Sequence, residues 1–365
     1  MKKLTCAFLV FLISFCSLLS TLGCASPTGD TINKTALGTA FHLEVYDKTI
    51  PNELKTQINN LIDQTESLLS TTLASSEIYA FNKAEPNVPV SLSDLSYGVL
   101  SRALDYSNAT PGQFNPLVYP LTELWGFSPD KYPVLGFSVP TSTQIENAKA
   151  LADRSLITLD AQTKTITKSQ VGVKVGLGGM AKGFLTDQIA TILKTNGFEK
   201  GYINFGGSSL YVLSLQNDDN VLGIKHPLKN YTTILELKNS QIKDCAVSTS
   251  GDYERSYTIN NKTYSHIINP KTGMPIDGGI RSATVIGDNA EYLDALSTAL
   301  CTLSYDKDDH QNSTLITYLN SILSLNTDLK VFVVYDDGES KIILTNKKQG
   351  EEFTLLDNSF VVKQI

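Results

Sequence analysis

Apolar residues recur at helical spacing in several segments of the chain. Between residues 51 and 70, Leu54, Ile58, Leu61 and Ile62 lie three or four positions apart. This spacing predicts an amphipathic helix with one buried face. The same reasoning predicts four helices in all, over residues 51–70, 92–107, 183–196 and 290–303.

Other segments show the alternation or the short apolar runs that are typical of β-strands. Residues 255–268 further suggest a hairpin pair, and residues 110–140, rich in Pro, Gly and aromatic residues, predict an irregular loop region. Helices and strands are mixed without a regular βαβ repeat, which predicts an α+β fold with mixed sheets and packed helices. The predicted strands cover residues 36–46, 156–168, 171–177, 201–213, 221–226, 232–238, 281–287, 330–335, 341–345 and 359–363.

The N-terminus has the pattern of a targeting segment. Lys2 and Lys3 precede an apolar run over residues 4–22, which ends at Gly23-Cys24. This resembles a bacterial lipoprotein signal that is cut before Cys24, the residue that would carry the lipid; a plain secretory signal and a single membrane anchor are the alternatives. All three export the domain. We therefore expect a signal at 1–23, a polar tether at 24–35, one catalytic unit at 36–365, and a protein lipid-anchored to the bacterial cell membrane, facing outside the cytoplasm.

The composition and charge of the chain exclude some classes of ligand and binding partner. The chain has 365 residues, of which 41% are hydrophobic and 18% charged, enough for a sizeable core. The formal charge is −7, so a nonspecific grip on nucleic acid phosphates is not expected. Without the signal, Cys24, Cys245 and Cys301 remain; if Cys24 carries the lipid, only Cys245 and Cys301 are free to pair, and their spacing does not decide whether they do. The absence of a Cys-x-x-Cys motif argues against a thiolate metal site.

A glycine-rich segment between a predicted strand and a predicted helix is the first candidate for chemistry. It reads Gly176-Leu177-Gly178-Gly179-Met180-Ala181-Lys182-Gly183. Glycines let the backbone approach a ligand, and the first amides of a helix favour an anion such as a phosphate. Lys182 adds a positive charge. The segment matches neither a Walker A loop nor a dinucleotide fingerprint, and a tight turn that needs small residues explains it equally well.

Asp294 and Thr298 lie one turn apart on the predicted helix 290–303. They fall nearly opposite a stripe formed by Leu293, Leu296 and Leu300. A carboxylate and a hydroxyl so placed offer two oxygens to a hard cation such as Mg²⁺. The alternative is the solvated face of an amphipathic helix.

Three more segments bring polar or aromatic groups to loops. His266 stands in an extended stretch that ends at a Pro-Lys-Thr-Gly turn. A polar turn at 247–255, with Ser250 in it, has hydroxyls and amides for a phosphate or a flavin edge. Aromatic residues at 114–127 could stack on a heterocycle. Each segment also fits a structural role: a hydrogen-bonded histidine, a loop between strands, and a small satellite core.

Taken together and in this order, the segments resemble the FAD:protein FMN transferase family, the ApbE-type flavin transferases. The resemblance runs from about residue 36 to past residue 300. The matching pieces are Leu37-Gly38-Thr39, Phe114-Asn115-Pro116, Trp125-Gly126-Phe127, Leu177-Gly178-Gly179-Met180-Ala181-Lys182-Gly183, Asn204-Phe205-Gly206-Gly207, Thr249-Ser250-Gly251-Asp252-Tyr253, Ser265-His266-Ile267-Ile268-Asn269-Pro270-Lys271-Thr272-Gly273 and Asp294-Ala295-Leu296-Ser297-Thr298.

The resemblance implies an ApbE-like α+β fold and an activity. Such enzymes bind FAD and a divalent cation, usually Mg²⁺, and move FMN from FAD to a Thr or Ser hydroxyl of a partner protein, releasing AMP. Here the partner would be an exported or membrane redox protein. It also implies site residues: Ala181 (carbonyl), Asp294 and Thr298 for the cation, with Ser297 as a further candidate ligand, and Leu37, Phe114, Asn115, Gly178, Phe184 and Ile268 for the flavin nucleotide. For catalysis, our own candidates are His266, as the general base on the acceptor hydroxyl, and Lys182, which would share the phosphate charge.

Three positions depart from the pattern of the family. Gly176, Ser208 and Asn269 stand where the family usually has aspartate. These losses keep two alternatives open, a non-catalytic flavin-binding lipoprotein and an FAD pyrophosphatase that yields FMN and AMP.

Overall fold

The computed structural model describes residues 29–134, 136–230 and 232–365. Cys24 and the predicted signal lie outside the described residues. Helices longer than one turn form where apolar residues recur on one face; in the first of them, Leu54, Ile58 and Ile62 are buried in the core. The α-helices are α1 (Asn52–Leu69), α2 (Glu77–Lys83), α3 (Asp94–Ala109), α4 (Tyr119–Leu124), α5 (Ser142–Ala150), α6 (Ala181–Thr195), α7 (Asn239–Ile242), α8 (Ala290–Thr302) and α9 (Thr314–Leu325).

Some strands alternate buried and partly exposed positions, and others are buried along almost their whole length. They are β1 (Asp30–Ala36), β2 (Thr39–Val45), β3 (Val90–Ser91), β4 (Ile157–Asp160), β5 (Thr165–Lys168), β6 (Gly201–Phe205), β7 (Ser209–Ser214), β8 (Val221–Lys225), β9 (Thr233–Lys238), β10 (Cys245–Gly251), β11 (Ser256–Ile259), β12 (Lys262–Ser265), β13 (Ile280–Gly287), β14 (Lys330–Asp336), β15 (Lys341–Thr345), β16 (Thr354–Leu355) and β17 (Val361–Gln364).

A large mixed sheet organises the described part of the chain. It has nine strands in the order β1-β2-β6-β7-β10-β13-β14-β15-β17, and every pair is antiparallel except β15 with β17. The smaller sheets are β16-β9-β8, β3-β5-β4 and the hairpin β11-β12. The helices α1, α3, α6 and α8 bury their apolar faces on one side of the large sheet, and β8 and β9 cover the other side.

The register places several turns at one end of this sheet. Phe41 pairs with Phe205, Phe205 with Ser209, and Ser209 with Ser248. The two-residue turn between β1 and β2, the turn after β6, and the last residues of β10 therefore meet at the same end. Leu37 and Gly38 form the first of these turns at φ of 50° and 72°. A leucine in this left-handed region costs conformational energy, and such strain often occurs at functional sites.

The α+β prediction is confirmed, and so is each of the four predicted helices, with ends that agree within two residues. The tether prediction is wrong for residues 30–35, because they belong to the edge strand β1. The strand prediction at 171–177 is also wrong, because this segment lies in no strand. The predicted loop 110–140 contains the short helix α4, and the predicted polar turn at 247–255 begins inside the central strand β10.

Cys245 and Cys301 are both free and buried. Cys245 lies in the core under β8 and β9, and Cys301 lies in the core on the helix side of the sheet. No disulfide joins the two residues. Of the helices described, none is both long and apolar enough to cross a membrane.

Candidate active site

Residues 177–182 form a tight turn, here called the glycine elbow, that leads into α6. The Met180 and Ala181 N–H groups both donate to the Leu177 carbonyl, at 3.1 and 2.9 Å. The N–H groups of Gly178, Gly179 and Lys182 make no hydrogen bond to a described residue, and the start of α6 has no side-chain cap. Free amides at the positive end of a helix dipole are suited to an anionic ligand.

The glycine elbow brings several predicted segments together. A methyl group placed on Gly179 would lie 3.1 Å from the Phe114 ring and 3.9 Å from Thr298 Oγ1. A methyl group on Gly178 would meet no atom within 4 Å, so this glycine faces open space. Lys182 is half-buried, and its Nζ donates to the Gly178 carbonyl at 3.0 Å. The predicted phosphate-binding backbone, an aromatic ring and a predicted cation ligand are therefore neighbours.

Asp294 is a buried carboxylate without an ion-pair partner among the described residues. Its Oδ2 accepts from the Gly183 N–H at 2.7 Å, and its Oδ1 accepts from the Ser248 hydroxyl. Burial raises the pKa of this carboxyl group, against the opposing effect of the Lys182 charge. Buried charges in proteins are normally paired or bound to metal. The polar face of α8 therefore points into the protein rather than into solvent.

Close packing of α6 on α8 creates this burial. A methyl group on Gly183 would lie 2.2 Å from the Ala290 carbonyl oxygen, so only glycine fits where the two backbones meet. Ala181, the first residue of α6, is buried two positions earlier. The three predicted cation ligands thus come from the start of α6 and from adjoining turns of α8.

Hydroxyl groups surround Asp294, and we call the carboxylate and these hydroxyls the oxygen cluster. Ser250 Oγ lies 2.8 Å from Ser297 Oγ and 3.1 Å from Thr298 Oγ1. Both of these α8 hydroxyls also donate to the Asp294 carbonyl at 3.1 Å. The fifth member, Ser248, contacts the carboxylate directly. Within the described residues, no group of three or more His, Cys, Asp or Glu side chains forms a metal site. The donors here are oxygens alone, which suits a hard cation.

His266 follows β12 and is half-buried. Its Nδ1 is buried and has no hydrogen-bond partner among the described residues. Burial, helped by the positive charges of Arg255 and Lys182, lowers the pKa of the imidazole to about 4. The ring is therefore neutral at physiological pH and can accept a proton from a ligand.

The residues predicted to line the nucleotide site are placed as follows. Leu37 lies in the turn at the end of the sheet. Asn115 accepts from the Leu117 N–H at 2.9 Å and donates to the Ala152 carbonyl at 2.8 Å, so its side chain is used within the fold. Ile268 is buried in an aromatic cluster with Trp125. Leu37, Phe114 and Gly178 therefore lie at the glycine elbow or at the end of the sheet where the β1–β2 turn lies, and Ser250, near the end of β10, lies at that end as well.

Phe184 lies elsewhere. It lines a groove of about 940 Å³ between α3, α6 and the start of α8, and the Arg102 guanidinium lies 5.7 Å from its ring centre. None of His266, Lys182, Ser250 and Thr298 lines this groove. These four predicted site residues therefore lie outside the groove, on the other side of the α6 N-terminus.

The structure explains why two of the three departures are tolerated. A methyl group on Gly176 would lie 2.6 Å from the Tyr119 ring, which fills the space that an aspartate side chain would need. Asn269 donates from Nδ2 to the Thr302 carbonyl at the end of α8, at 2.8 Å. A carboxylate cannot make that bond. Ser208 donates to the Phe205 carbonyl within its own turn.

We expect Asn269→Asp to destabilise the protein by about 1–3 kcal/mol. The change removes the donor to Thr302 and sets a negative charge beside the negative end of the α8 dipole. Urea unfolding measures the difference. Asn220→Asp is the matched control, because the Asn220 side chain only accepts, from the Asn217 N–H; its effect should stay within about 0.5 kcal/mol. Equal stability of the two variants would contradict this account of Asn269.

Sequence reasoning placed Ser248 and Gly183 in candidate segments but assigned neither residue an individual role in the site. Ser248 and Ser250 are two residues apart and project from the same face of β10, as a strand requires. The prediction of a turn at 247–255 hides this alternation, because a turn does not place alternate side chains on one face. The role of Gly183 depends on the approach of α8, for which the local sequence gives no sign.

Comparisons with known proteins agree with this geometry. The model of the ApbE family matches residues 37–313. A FAD:protein FMN transferase of Buchnera aphidicola is 29% identical over 278 residues, which cover 74% of this chain and 79% of that protein. A FAD:protein FMN transferase of Vibrio cholerae is 28% identical over 304 residues, covering 81% and 88%.

Solved structures show the same fold. The ApbE protein of Thermotoga maritima superposes with a TM-score of 0.72 at 26% identity, over 84% of this chain and 94% of that chain. The flavin transferase ApbE of Vibrio cholerae superposes with a TM-score of 0.69 at 23% identity, over 89% and 96%. Together, fold and relatives define the protein as an enzyme of the transferase class. The chain belongs to the ApbE family.

Proposed function

We propose that this transferase moves the FMN half of FAD onto a Thr or Ser hydroxyl of a partner protein and releases AMP. The observation that carries the proposal is the buried, unpaired carboxylate of Asp294 beside the free amides of the glycine elbow. Free amides at a helix N-terminus bind anions, and a diphosphate is a suitable ligand for them. The names of the relatives, FAD:protein FMN transferase, supply the flavin dinucleotide and the protein acceptor.

The residues support a balanced phosphoryl transfer. The acceptor oxygen forms a bond to the phosphorus of the FMN half, and the bond from that phosphorus to the bridging oxygen breaks. AMP leaves with the bridging oxygen. The acceptor proton passes to the His266 imidazole, which is neutral at physiological pH. Such a positioned base typically contributes about 10²–10⁴-fold.

The oxygen cluster supports Mg²⁺ as the cofactor. Asp294, Thr298 and the Ala181 carbonyl would hold the ion, with Ser297 as a further ligand. When bound, Mg²⁺ neutralises charge on the diphosphate oxygens. The free amides of the glycine elbow and the Lys182 ammonium group bind and orient the remaining phosphate oxygens.

One experiment tests the proposal. The purified protein is incubated with FAD, Mg²⁺ and a candidate exported redox subunit, and both AMP release and the mass of that subunit are measured. We expect AMP and a subunit heavier by one FMN group. A subunit whose acceptor hydroxyl residue is replaced by alanine is the control. AMP without a mass increase would identify a pyrophosphatase, and intact FAD would identify a binding protein; either result overturns the transferase proposal.

We further propose that the protein is exported and lipid-anchored through Cys24, with an exported or membrane redox protein as its partner. The lipoprotein-like signal supports this. We expect Cys24→Ser to abolish incorporation of radiolabelled palmitate and to release the protein from the membrane fraction. Cys16→Ser, inside the apolar run, is the matched control and should leave labelling unchanged. Labelling that survives Cys24→Ser would refute the anchor.

A further inference from the structure

Arg255 lies directly beside His266. The two residues face each other just beyond the β11–β12 hairpin, where the His266 N–H donates to the Arg255 carbonyl at 3.0 Å. Directly opposite residues of an antiparallel pair project their side chains to the same face. Arg255 also reaches the end of the large sheet where the β1–β2 turn lies, because a methyl group on Gly38, in that turn, would lie 4.0 Å from Arg255 Nη2.

The Arg255 guanidinium makes no hydrogen bond or ion pair with any residue the structure describes. The nearby acids on the chain already have partners. Glu254 pairs with Lys225 at 3.0 Å, and Asp252 pairs with Arg281 at 3.0 Å. The closest aromatic contact of Arg255 is the Tyr132 ring, 6.0 Å from the guanidinium carbon. A half-buried arginine thus keeps five N–H donors free at the site.

Two cations flank His266. Arg255 and Lys182 both disfavour a positive charge on the imidazole, and no acidic side chain in the described part of the chain is among the groups that shift its pKa. Their joint field attracts an anion into the space between the β1–β2 turn, the glycine elbow and the histidine. The guanidinium fork matches phosphate oxygens in geometry better than a lysine ammonium group does.

We propose that Arg255 binds phosphate oxygens of the dinucleotide diphosphate and so fixes the substrate against His266. This inference rests on the proposed function for the identity of the dinucleotide. The glycine at position 38 leaves room for the guanidinium and the ligand at the end of the sheet. The free donors of Arg255 then complete an anion site whose other half is the glycine elbow.

Equilibrium binding tests the proposal apart from turnover. Quenching of flavin fluorescence gives the Kd of FAD, and riboflavin serves as the phosphate-free probe. We expect Arg255→Met to raise the Kd of FAD by about 10- to 100-fold, the loss typical of a charge-assisted hydrogen bond, with no change for riboflavin. Arg255→Lys should recover part of the affinity. Lys262→Met removes a charge from the same hairpin and should match the wild type.

A second measurement guards against a merely structural effect. NMR titration of the free protein should show that the His266 pKa rises in Arg255→Met, and thermal melting checks that the variant is folded. Wild-type affinity for FAD in a folded Arg255→Met protein would overturn the proposal. A wild-type protein that binds FAD but modifies no acceptor would overturn the proposed function and leave the binding result standing.

Discussion

Asp294→Asn should abolish metal-dependent turnover while the protein stays folded. Asparagine keeps the shape and can still accept from the Gly183 N–H, and its Nδ2 can donate to Ser248. It removes the buried charge, so stability should not fall. The only carboxylate of the oxygen cluster is lost, however. A bound cation typically contributes several kcal/mol to the transition state, so AMP release should drop by at least about 10³-fold.

The control for this prediction is Asp336→Asn. Asp336 is also a buried carboxylate, but it lies at the β14–β15 turn, where Oδ1 accepts from the Gly338 N–H. Rates near the wild type are expected for it. Initial rates of AMP release at several Mg²⁺ concentrations measure both variants. If Asp294→Asn retained wild-type rates, the assignment of the cation to the oxygen cluster would be wrong.

The helices were predictable because burial follows the period of the sequence. In α1, Ile58 and Ile62 are four residues apart and both fully buried. The polar face of α8 was the exception. Spacing placed Asp294 opposite the leucine stripe, which usually means solvent. Its burial arises because Gly183 lets α6 come into backbone contact with α8, and this packing is not encoded within either helix alone.

The incorrect strand prediction at 171–177 shows a different limit of prediction from the sequence. Val173, Val175 and Leu177 alternate and are fully or almost fully buried, as in a strand. The backbone partners are not another strand, however. The Asn82 side-chain amide accepts from the Val175 N–H at 2.8 Å and donates to the Val175 carbonyl at 2.9 Å. Lys168 Nζ donates to the Val173 carbonyl at 3.1 Å. An extended, buried segment can thus satisfy its backbone through side chains.

The tether prediction at residues 30–35 is wrong for the opposite reason: this segment forms the edge strand β1 although few of its residues are apolar. Only Ile32 and Ala36 of its seven residues are buried in the core. A short edge strand has one partner, here β2, and needs few apolar positions. Its sequence therefore looks like a polar tether. The error moves the start of the folded domain from residue 36 to residue 30 and leaves the site unchanged.

The departure from the family pattern at Asn269 affects the charge around His266. Asn269 binds the end of α8 and brings no negative charge to His266. The charged side chains of the described residues that shift the imidazole pKa are Arg255 and Lys182, and together with burial they hold this pKa at about 4. An aspartate at position 269 would oppose this effect. The chain thus keeps its histidine neutral over a wider pH range than a site with a neighbouring carboxylate would.

His266→Gln should lower turnover by about 10²–10⁴-fold, the usual contribution of a positioned base. Glutamine keeps a polar side chain of similar length but cannot take up a proton near neutral pH. His42→Gln, on β2, is the control, because His42 bonds only Asn33 and a neighbouring glutamate there, and it should retain wild-type rates. Single-turnover FMN transfer measures the effect on the chemical step.

The pH profile gives the sharper test of His266. Its lowered pKa favours the neutral form, which is the competent base, so kcat/KM should stay level from pH 8 to about pH 5 and fall only as the pH approaches about 4. The unfolded chain has the ordinary value of 6.5, so the folded state also loses stability as the pH falls from 6.5 towards 4. Brief assays after a pH jump separate the two effects. A descending limb centred near pH 6.5, or the same profile in His266→Gln, would show that another group is the base.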